Sequence, residues 1–314
     1  MEMLDLVAGA GGWDHAANQI PEIDNVLGIE LEKYMCQTRE ANGLRTEQAE
    51  ISLLDPNYYP SDILVASPPC QGFSKQGHGK GRLDKDLVYQ YADDINAGLD
   101  TKNDLFPQLQ DKRSLLVVEP LRFVIGTKPK YVAFEQVPYV KELWEYFAEI
   151  MENHGYHTWV ENLEAEEYGS PQTRKRAILM ASTEKEVKPP TKTHQKFLKS
   201  EIKRGDLGVL PWVSLEDRFP ERKGWFYQAG ARKRAALRNS TEPAPTIAFG
   251  YDYNNHGWVK DDQFDKLTEE EGLRFQGFPE GFELCGSKHS RFTQIGNAIP
   301  VELAKVILEE LISP

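Results

Sequence analysis

Through the first 180 residues, short apolar runs alternate with segments whose apolar positions recur every three or four residues, the pattern of a parallel sheet flanked by helices. The runs at 3–8, 26–30, 62–66, 131–135, 158–163 and 177–181 predict strands. Between them, 31–41, 114–125 and 140–153 predict helices. The polar stretch 75–103 reads as one long loop, and loops of that length often serve as lids. After Ala181 the periodicity stops, and a region rich in Pro, Lys and Arg runs to about Trp258, which predicts a second, irregular domain. Regular structure resumes at 267–275, where Thr268 can cap a helix that opens on three glutamates, and a last helix at 300–312 closes the chain. The predicted fold class is α/β, with a body at 1–183, a smaller domain at 184–262 and a return segment at 263–314 that completes the body.

Composition adds bounds. A chain of 314 residues that is 40% hydrophobic can bury one large core. No apolar run approaches the ~20 residues of a membrane span, and the N-terminus enters a strand without a signal-peptide pattern, so a soluble, cytoplasmic protein is expected. Cys36, Cys70 and Cys285 make neither a disulfide framework nor a CxxC pair, and no metal is expected. The net charge of -12 argues at first against a nucleic-acid partner. Its distribution reverses that: residues 171–240 hold 17 Lys and Arg against 7 Asp and Glu, so an acidic body carries a basic insert.

The first strand runs into Gly9-Ala10-Gly11-Gly12, a turn that is either purely structural or a cradle where backbone amides approach a ligand. A dinucleotide fingerprint wants glycine at the sixth position, which is Asp14 here. The second strand ends on Glu30, placed to accept hydrogen bonds from both hydroxyls of a ribose, and Glu50-Ile51 follows a third strand where a carboxylate can meet an adenine amino group.

Cys70 lies just past the 62–66 strand, in Pro68-Pro69-Cys70-Gln71-Gly72-Phe73-Ser74. A lone cysteine is usually a buried hydrophobe. A thiol among rigid turn residues at the carboxyl end of a parallel strand instead sits where open sheets form active sites. The 131–135 strand delivers Glu135 to the same edge, where a buried carboxyl can donate a proton. Gln172-Thr173-Arg174-Lys175-Arg176 alternates two guanidiniums onto one strand face, suited to phosphate or carbonyl oxygens.

Taken in order, these clusters resemble the cytosine-C5 DNA methyltransferase family over nearly the whole chain. Asp5-Leu6-Val7-Ala8-Gly9-Ala10-Gly11-Gly12 is similar to the family's first motif, Pro-Pro-Cys-Gln-Gly-Phe-Ser to its nucleophile motif and Glu135-Gln136-Val137 to its Glu-Asn-Val motif. Gln172-x-Arg174-x-Arg176, Arg274-Phe275-Gln276-Gly277-Phe278-Pro279 and Gln294-Ile295-Gly296-Asn297-Ala298-Ile299-Pro300 follow in family order. Val7 stands where the family has Phe, Gln136 replaces the Asn that braces the cysteine loop, and Lys266 stands in place of Arg. None of these departures removes a catalytic group.

The resemblance implies a Rossmann-like S-adenosylmethionine-dependent methyltransferase sheet, with Cys70, Glu135, Arg174 and Arg176 as catalytic residues. Cofactor contacts would come from Asp5, Gly9, Gly11, Glu30, Glu50, Ile51, Pro69, Leu116 and Asn297. Residues 184–262 would be the target-recognition domain, reading double-stranded DNA through Arg232, Lys233, Arg234, Arg238 and Thr246, beside Trp225, Phe226 and Tyr227. His256 is expected to be structural. The 75–103 loop would close over a flipped base. A cognate restriction endonuclease is an allowed companion, and the chain is expected to act as a monomer in a bacterial or phage-infected cell. A tRNA-acting branch shares these motifs, but Gly72-Phe73-Ser74 and the sizeable insert favour DNA. A silent DNA-binding module would predict loss of Cys70 or Glu135, and a nicotinamide oxidoreductase leaves Pro-Pro-Cys unexplained.

Overall fold

A computed structural model describes residues 1–69, 84–199, 208–230, 237–248 and 253–314. Cys70, Arg232, Lys233 and Arg234 lie outside the described residues. The strands are β1 (Glu2–Leu6), β2 (Asn25–Glu30), β3 (Thr46–Gln48), β4 (Ile63–Ala66), β5 (Tyr131–Gln136), β6 (His157–Glu164), β7 (Gln172–Thr173), β8 (Lys175–Ser182), β9 (Phe226–Gln228), β10 (Leu237–Asn239), β11 (Ala244–Pro245), β12 (Gly257–Lys260) and β13 (Gln263–Lys266). The helices are α1 (Gly12–Ala17), α2 (Lys33–Ala41), α3 (Lys85–Asn96), α4 (Lys102–Leu105), α5 (Glu119–Thr127), α6 (Lys141–Asn153), α7 (Leu215–Arg218), α8 (Glu269–Phe275), α9 (Lys288–Asn297) and α10 (Val301–Ile312).

Seven strands form one sheet in the order β3-β2-β1-β4-β5-β8-β6, with the first five parallel and β8 antiparallel to both neighbours. Side chains alternate across it, as the two-residue strand period requires. Leu4, Leu6, Leu64, Ala66, Val132 and Phe134 face α3, α5 and α6, while Met3, Ile63, Val65 and Ala133 face α1 and α10. The chain leaves β1 toward β2 on one side and reaches β4 on the other. Their carboxyl ends flank the switch point where open α/β sheets bind ligands. The predicted strands and α2 thus appear within a residue or two of their predicted limits.

Four expectations need correction. The stretch 75–103 is not one loop: residues 85–96 form α3, whose Val88, Tyr91, Ala92 and Ile95 are buried in the core at helical spacing. A helix anchored that way is part of the body, and residues 75–83 of the expected lid lie outside the described residues. The single helix expected at 114–125 is a 3-10 turn, Ser114–Val117, followed by α5, because Pro120 suits only a first helical turn. The second region is less irregular than its sequence, since it holds a four-stranded antiparallel sheet, β10-β9-β12-β13. The hairpin of β12 and β13 crosses residue 262, where the recognition domain was expected to end. The core of this region, Phe219, Tyr227 and Trp258, is completed by Phe275, Phe278, Phe292 and Ile295 from the return segment. Thr268 does cap α8, in a reciprocal capping box with Glu271. Among the described residues no helix is long and apolar enough to cross a membrane.

Candidate active site

After β1 the backbone takes positive φ at Val7 (59°), Gly9 (54°) and Gly11 (95°). Glycine tolerates this freely, whereas a β-branched residue there is strained. A Cβ on Gly11 would collide with Leu44, while one on Gly9 would meet nothing within 4 Å, so the open side of the loop lies at Gly9. Beneath the loop Arg39 grips Asp14 through two bonds of 2.7 and 2.9 Å, with both side chains closed to solvent. Asp14, the misfit in a dinucleotide fingerprint, is therefore the loop's internal anchor. Gly28 makes room for the Arg39 guanidinium, which a Cβ would displace.

Asp5, expected as a cofactor contact, is instead fully enclosed beside this pair. Burial, with Asp14 adding to it, holds its carboxyl well above the usual carboxylate range. It supports the loop from below. Glu30 does sit at the tip of β2, but its carboxylate already accepts from Gly9 N on one oxygen and from Leu31 N and Glu32 N on the other, each at 2.8 Å. A carboxylate has about four acceptor positions, so roughly one remains for a ribose hydroxyl where two were expected. Glu50 precedes the turn Ile51–Leu53 and accepts from Ser52 Oγ at 2.7 Å. Ile51 is buried, Leu116 is half-buried on the Ser114–Val117 turn, and Asn297 is exposed at the end of α9. This open edge, with free space at Gly9 and a carboxylate behind it, fits a ligand bearing ribose hydroxyls.

The second half of the site lies where β4 and β5 run side by side. Ala66 pairs with Phe134, which sets the exit of β4 next to Glu135. Gln136 donates from Nε2 to Pro68 O at 2.6 Å, and its Oε1 accepts from Val137 N. From the other side Trp13 Nε1 donates to Ser67 Oγ at 3.1 Å. The chain entering Cys70 is thus pinned by α1 and by β5 up to half-buried Pro69. Glu135, 4% exposed, pairs with Arg176 Nε at 2.8 Å.

Arg174 and Arg176 do not share a strand face as expected. Arg174 sits in the joint between β7 and β8, 1% exposed, and its Nη1 donates to Ile247 O (3.0 Å) and Gly296 O (3.1 Å). Burial, and then the neighbouring Arg176, push its guanidinium well below the usual arginine range. It ties α9 and the 244–247 segment to the sheet edge.

In the second region Arg238 packs its guanidinium 5.2 Å from the Phe197 ring, and its Nε and Nη1 have no partner among the described residues. Thr246 spends its hydroxyl on Thr173 O at 2.8 Å. Tyr227 is a core residue whose hydroxyl lies 3.1 Å from His256 Nδ1, so of the three aromatics Phe226 alone is an exposed one, at 40%. His256, 3% exposed, is structural as expected. Cys36 Sγ donates to Glu30 O at 3.4 Å, and burial pushes its thiol up to about 11, which removes it as a competing nucleophile.

A family profile described as C-5 cytosine-specific DNA methylase matches residues 1–97, 107–210 and 217–313. The chain belongs to this family. It is a DNA (cytosine-5-)-methyltransferase. It is 26% identical to the type II methyltransferase M.NlaX of Neisseria lactamica over 322 residues, 99% of this chain and 96% of the relative. It is 27% identical to the type II methyltransferase M.DsaV of Dactylococcopsis salina, over 100% of this chain and 86% of that one. Two solved structures share the fold. They are the S. pombe Dnmt2 methyltransferase (17% identity, TM-score 0.67, 100% and 99% of the two chains) and a putative DNA modification methyltransferase from an E. coli prophage (18%, 0.61, 99% and 98%). The first motif, the residues leading into Cys70 and Glu135-Gln136-Val137 thus fall at the carboxyl ends of β1, β4 and β5, whereas the 274–279 and 294–300 motifs lie around α8 and α9.

Proposed function

We propose that this methyltransferase moves a methyl group from S-adenosylmethionine to carbon 5 of a cytosine flipped out of a specific duplex DNA sequence, through a covalent adduct with Cys70. The observation that supports this most is the bond from Gln136 to Pro68 O. It couples the strand that presents Glu135 to the chain that leads into Cys70.

Carbon 5 of cytosine is a weak nucleophile. Addition of the Cys70 thiolate to carbon 6 makes the ring an enamine at carbon 5. Glu135, held by Arg176, gives a proton to N3 as the thiolate adds, and the Arg176 guanidinium supports the O2 carbonyl. S-adenosylmethionine supplies an electrophilic methyl on a sulfonium. Gly9, Glu30, Glu50, Ile51, Pro69, Leu116 and Asn297 would hold it. A base, such as water in the cleft, then takes the carbon-5 proton, the N3 proton returns to Glu135, and Cys70 leaves as the thiolate with the ring restored. Flipping the base out of the stack costs on the order of a few kcal/mol, which contacts from the basic 171–240 stretch, Arg238 among them, would offset. In this reading residues 1–183 with the helices of the return segment carry the chemistry, and the stretch from 184 through the β12–β13 hairpin carries the recognition. The likeness to type II methyltransferases supports a role beside a cognate restriction endonuclease.

A duplex carrying 5-fluorocytosine in the target site tests the adduct, because fluorine cannot leave carbon 5 as the proton does. With S-adenosylmethionine the protein should form a denaturant-resistant complex whose mass is the sum of protein, strand and methyl. Cys70→Ser should form none, and an equal yield of complex from that variant contradicts the mechanism.

A further inference from the structure

The 3-10 turn Ile51–Leu53 is held from behind by two cations. Arg122 donates through Nη2 to Ile51 O at 2.8 Å and through Nη1 to Leu54 O at 2.9 Å, and Lys102 Nζ donates to Ser52 O. Three carbonyls of one short segment are therefore held by two side chains. Both cations converge on Glu119, which is fully buried: Arg122 Nε lies 2.7 Å and Lys102 Nζ 3.9 Å from its oxygens. Tyr91, buried on α3, donates its hydroxyl to Glu119 at 3.1 Å. Burial pushes the Glu119 carboxyl up, and Arg122 with Lys102 pulls it back, so the cluster is a compensated charge group inside the core.

The origin of these side chains is informative. Arg122 and Glu119 belong to α5 and lie inside the matched family region, whereas Lys102 opens α4 in the span 98–106 that the family profile passes over. The helices that replaced the expected loop therefore bring a lysine of their own to the adenine-side turn.

We propose that Lys102, acting with Arg122 through Glu119, is a positioning residue for the cofactor: it fixes the turn that presents Glu50 and Ile51 to the adenosine end. The proposal rests on the cofactor reading above. A turn left free to move would lower affinity for the adenosine portion while leaving Cys70, Glu135 and Arg176 untouched.

The test is direct titration of the full-length protein with S-adenosylhomocysteine, followed by steady-state kinetics. Lys102→Met should weaken binding about tenfold, raise KM for S-adenosylmethionine in parallel and leave kcat within twofold. Lys102→Arg should restore most of the affinity. Lys85→Met, which breaks an exposed pair with Glu142 on the neighbouring helix, should leave binding unchanged. If Lys102→Met does not fold, Tyr91→Phe carries the same expectation with a smaller rise. Unchanged affinity in a folded Lys102→Met protein overturns the positioning role while the cofactor reading stands. A wild-type protein that binds no S-adenosylhomocysteine overturns both.

Discussion

Gln136 Nε2 and Pro68 O, 68 residues apart in the chain, lie 2.6 Å apart at the carboxyl edge of the sheet. The bond joins the two strands whose ends carry the proposed acid and the proposed nucleophile. It is made by the side chain that departs from the Asn of the resembled motif, so the longer residue still spans the gap.

Gln136→Ala should therefore lower kcat about tenfold, the worth of one part-buried hydrogen bond at the transition state, with S-adenosylhomocysteine affinity within twofold of wild type. Paired titration and single-turnover kinetics separate the two effects. Lost cofactor affinity at unchanged kcat would place Gln136 on the wrong half of the site.

Glu135→Gln keeps the volume of the side chain but removes the proton donor and the ion pair with Arg176. Its kcat should fall by about 10²–10⁴. Arg176→Lys should not behave as a conservative change, because an ammonium cannot hold both the carboxylate and a carbonyl in a planar fork. Single-turnover methylation of a defined duplex checks both, with circular dichroism to confirm folding.

Gly28→Ala should be among the most damaging small changes in the molecule, since the new Cβ would take the place of the Arg39 guanidinium and leave Asp14 buried without its partner. Breaking a buried pair in this way costs about 3–5 kcal/mol. Urea unfolding at neutral pH measures it, and a loss below about 1 kcal/mol would show that Arg39 can relocate.

Glu166, 2% exposed on the turn Ala165–Tyr168, has its carboxyl pushed up to about 7 by burial, with Glu164 and Glu167 adding to the effect against Lys196. Its folded-state value lies above its unfolded one. Its contribution to stability is therefore complete below the ordinary glutamate range and is lost as pH rises through about 7. Glu166→Gln should flatten that fall and exceed wild type at pH 8 by roughly 1–3 kcal/mol. Thermal melts at several pH values check the crossing, and a parallel fall in both proteins would contradict it.

Much of the sheet was legible because a parallel strand buried on both faces is a continuous apolar run, as β4 is throughout and β5 is from Tyr131 to Phe134. The glycine turn, Cys70's surroundings and Glu135 were legible for a related reason: the carboxyl ends of those strands are where the site must form. α3 was missed although Val88, Tyr91, Ala92 and Ile95 carry the helical spacing, because the polar residues between them lower the average. Arg174 misled because strand alternation was extended across a joint between two sheets. The second region builds its core from Phe219, Tyr227, Trp258 and Phe275, aromatics whose contacts are long-range and leave no period in the chain. Asp5 and Arg39 could not be assigned from sequence, since only the packed loop shows that Arg39 pairs with Asp14 beneath it and that Asp5 is enclosed beside them.

The central claim is that Cys70 attacks cytosine in duplex DNA, and bisulfite sequencing of plasmid DNA exposed to the purified protein and S-adenosylmethionine tests it most directly. Protection confined to one cytosine within a short recurring sequence, present with wild type and absent with Cys70→Ser, is the predicted result. Untouched DNA together with methylated tRNA, or full DNA protection by Cys70→Ser, would contradict it.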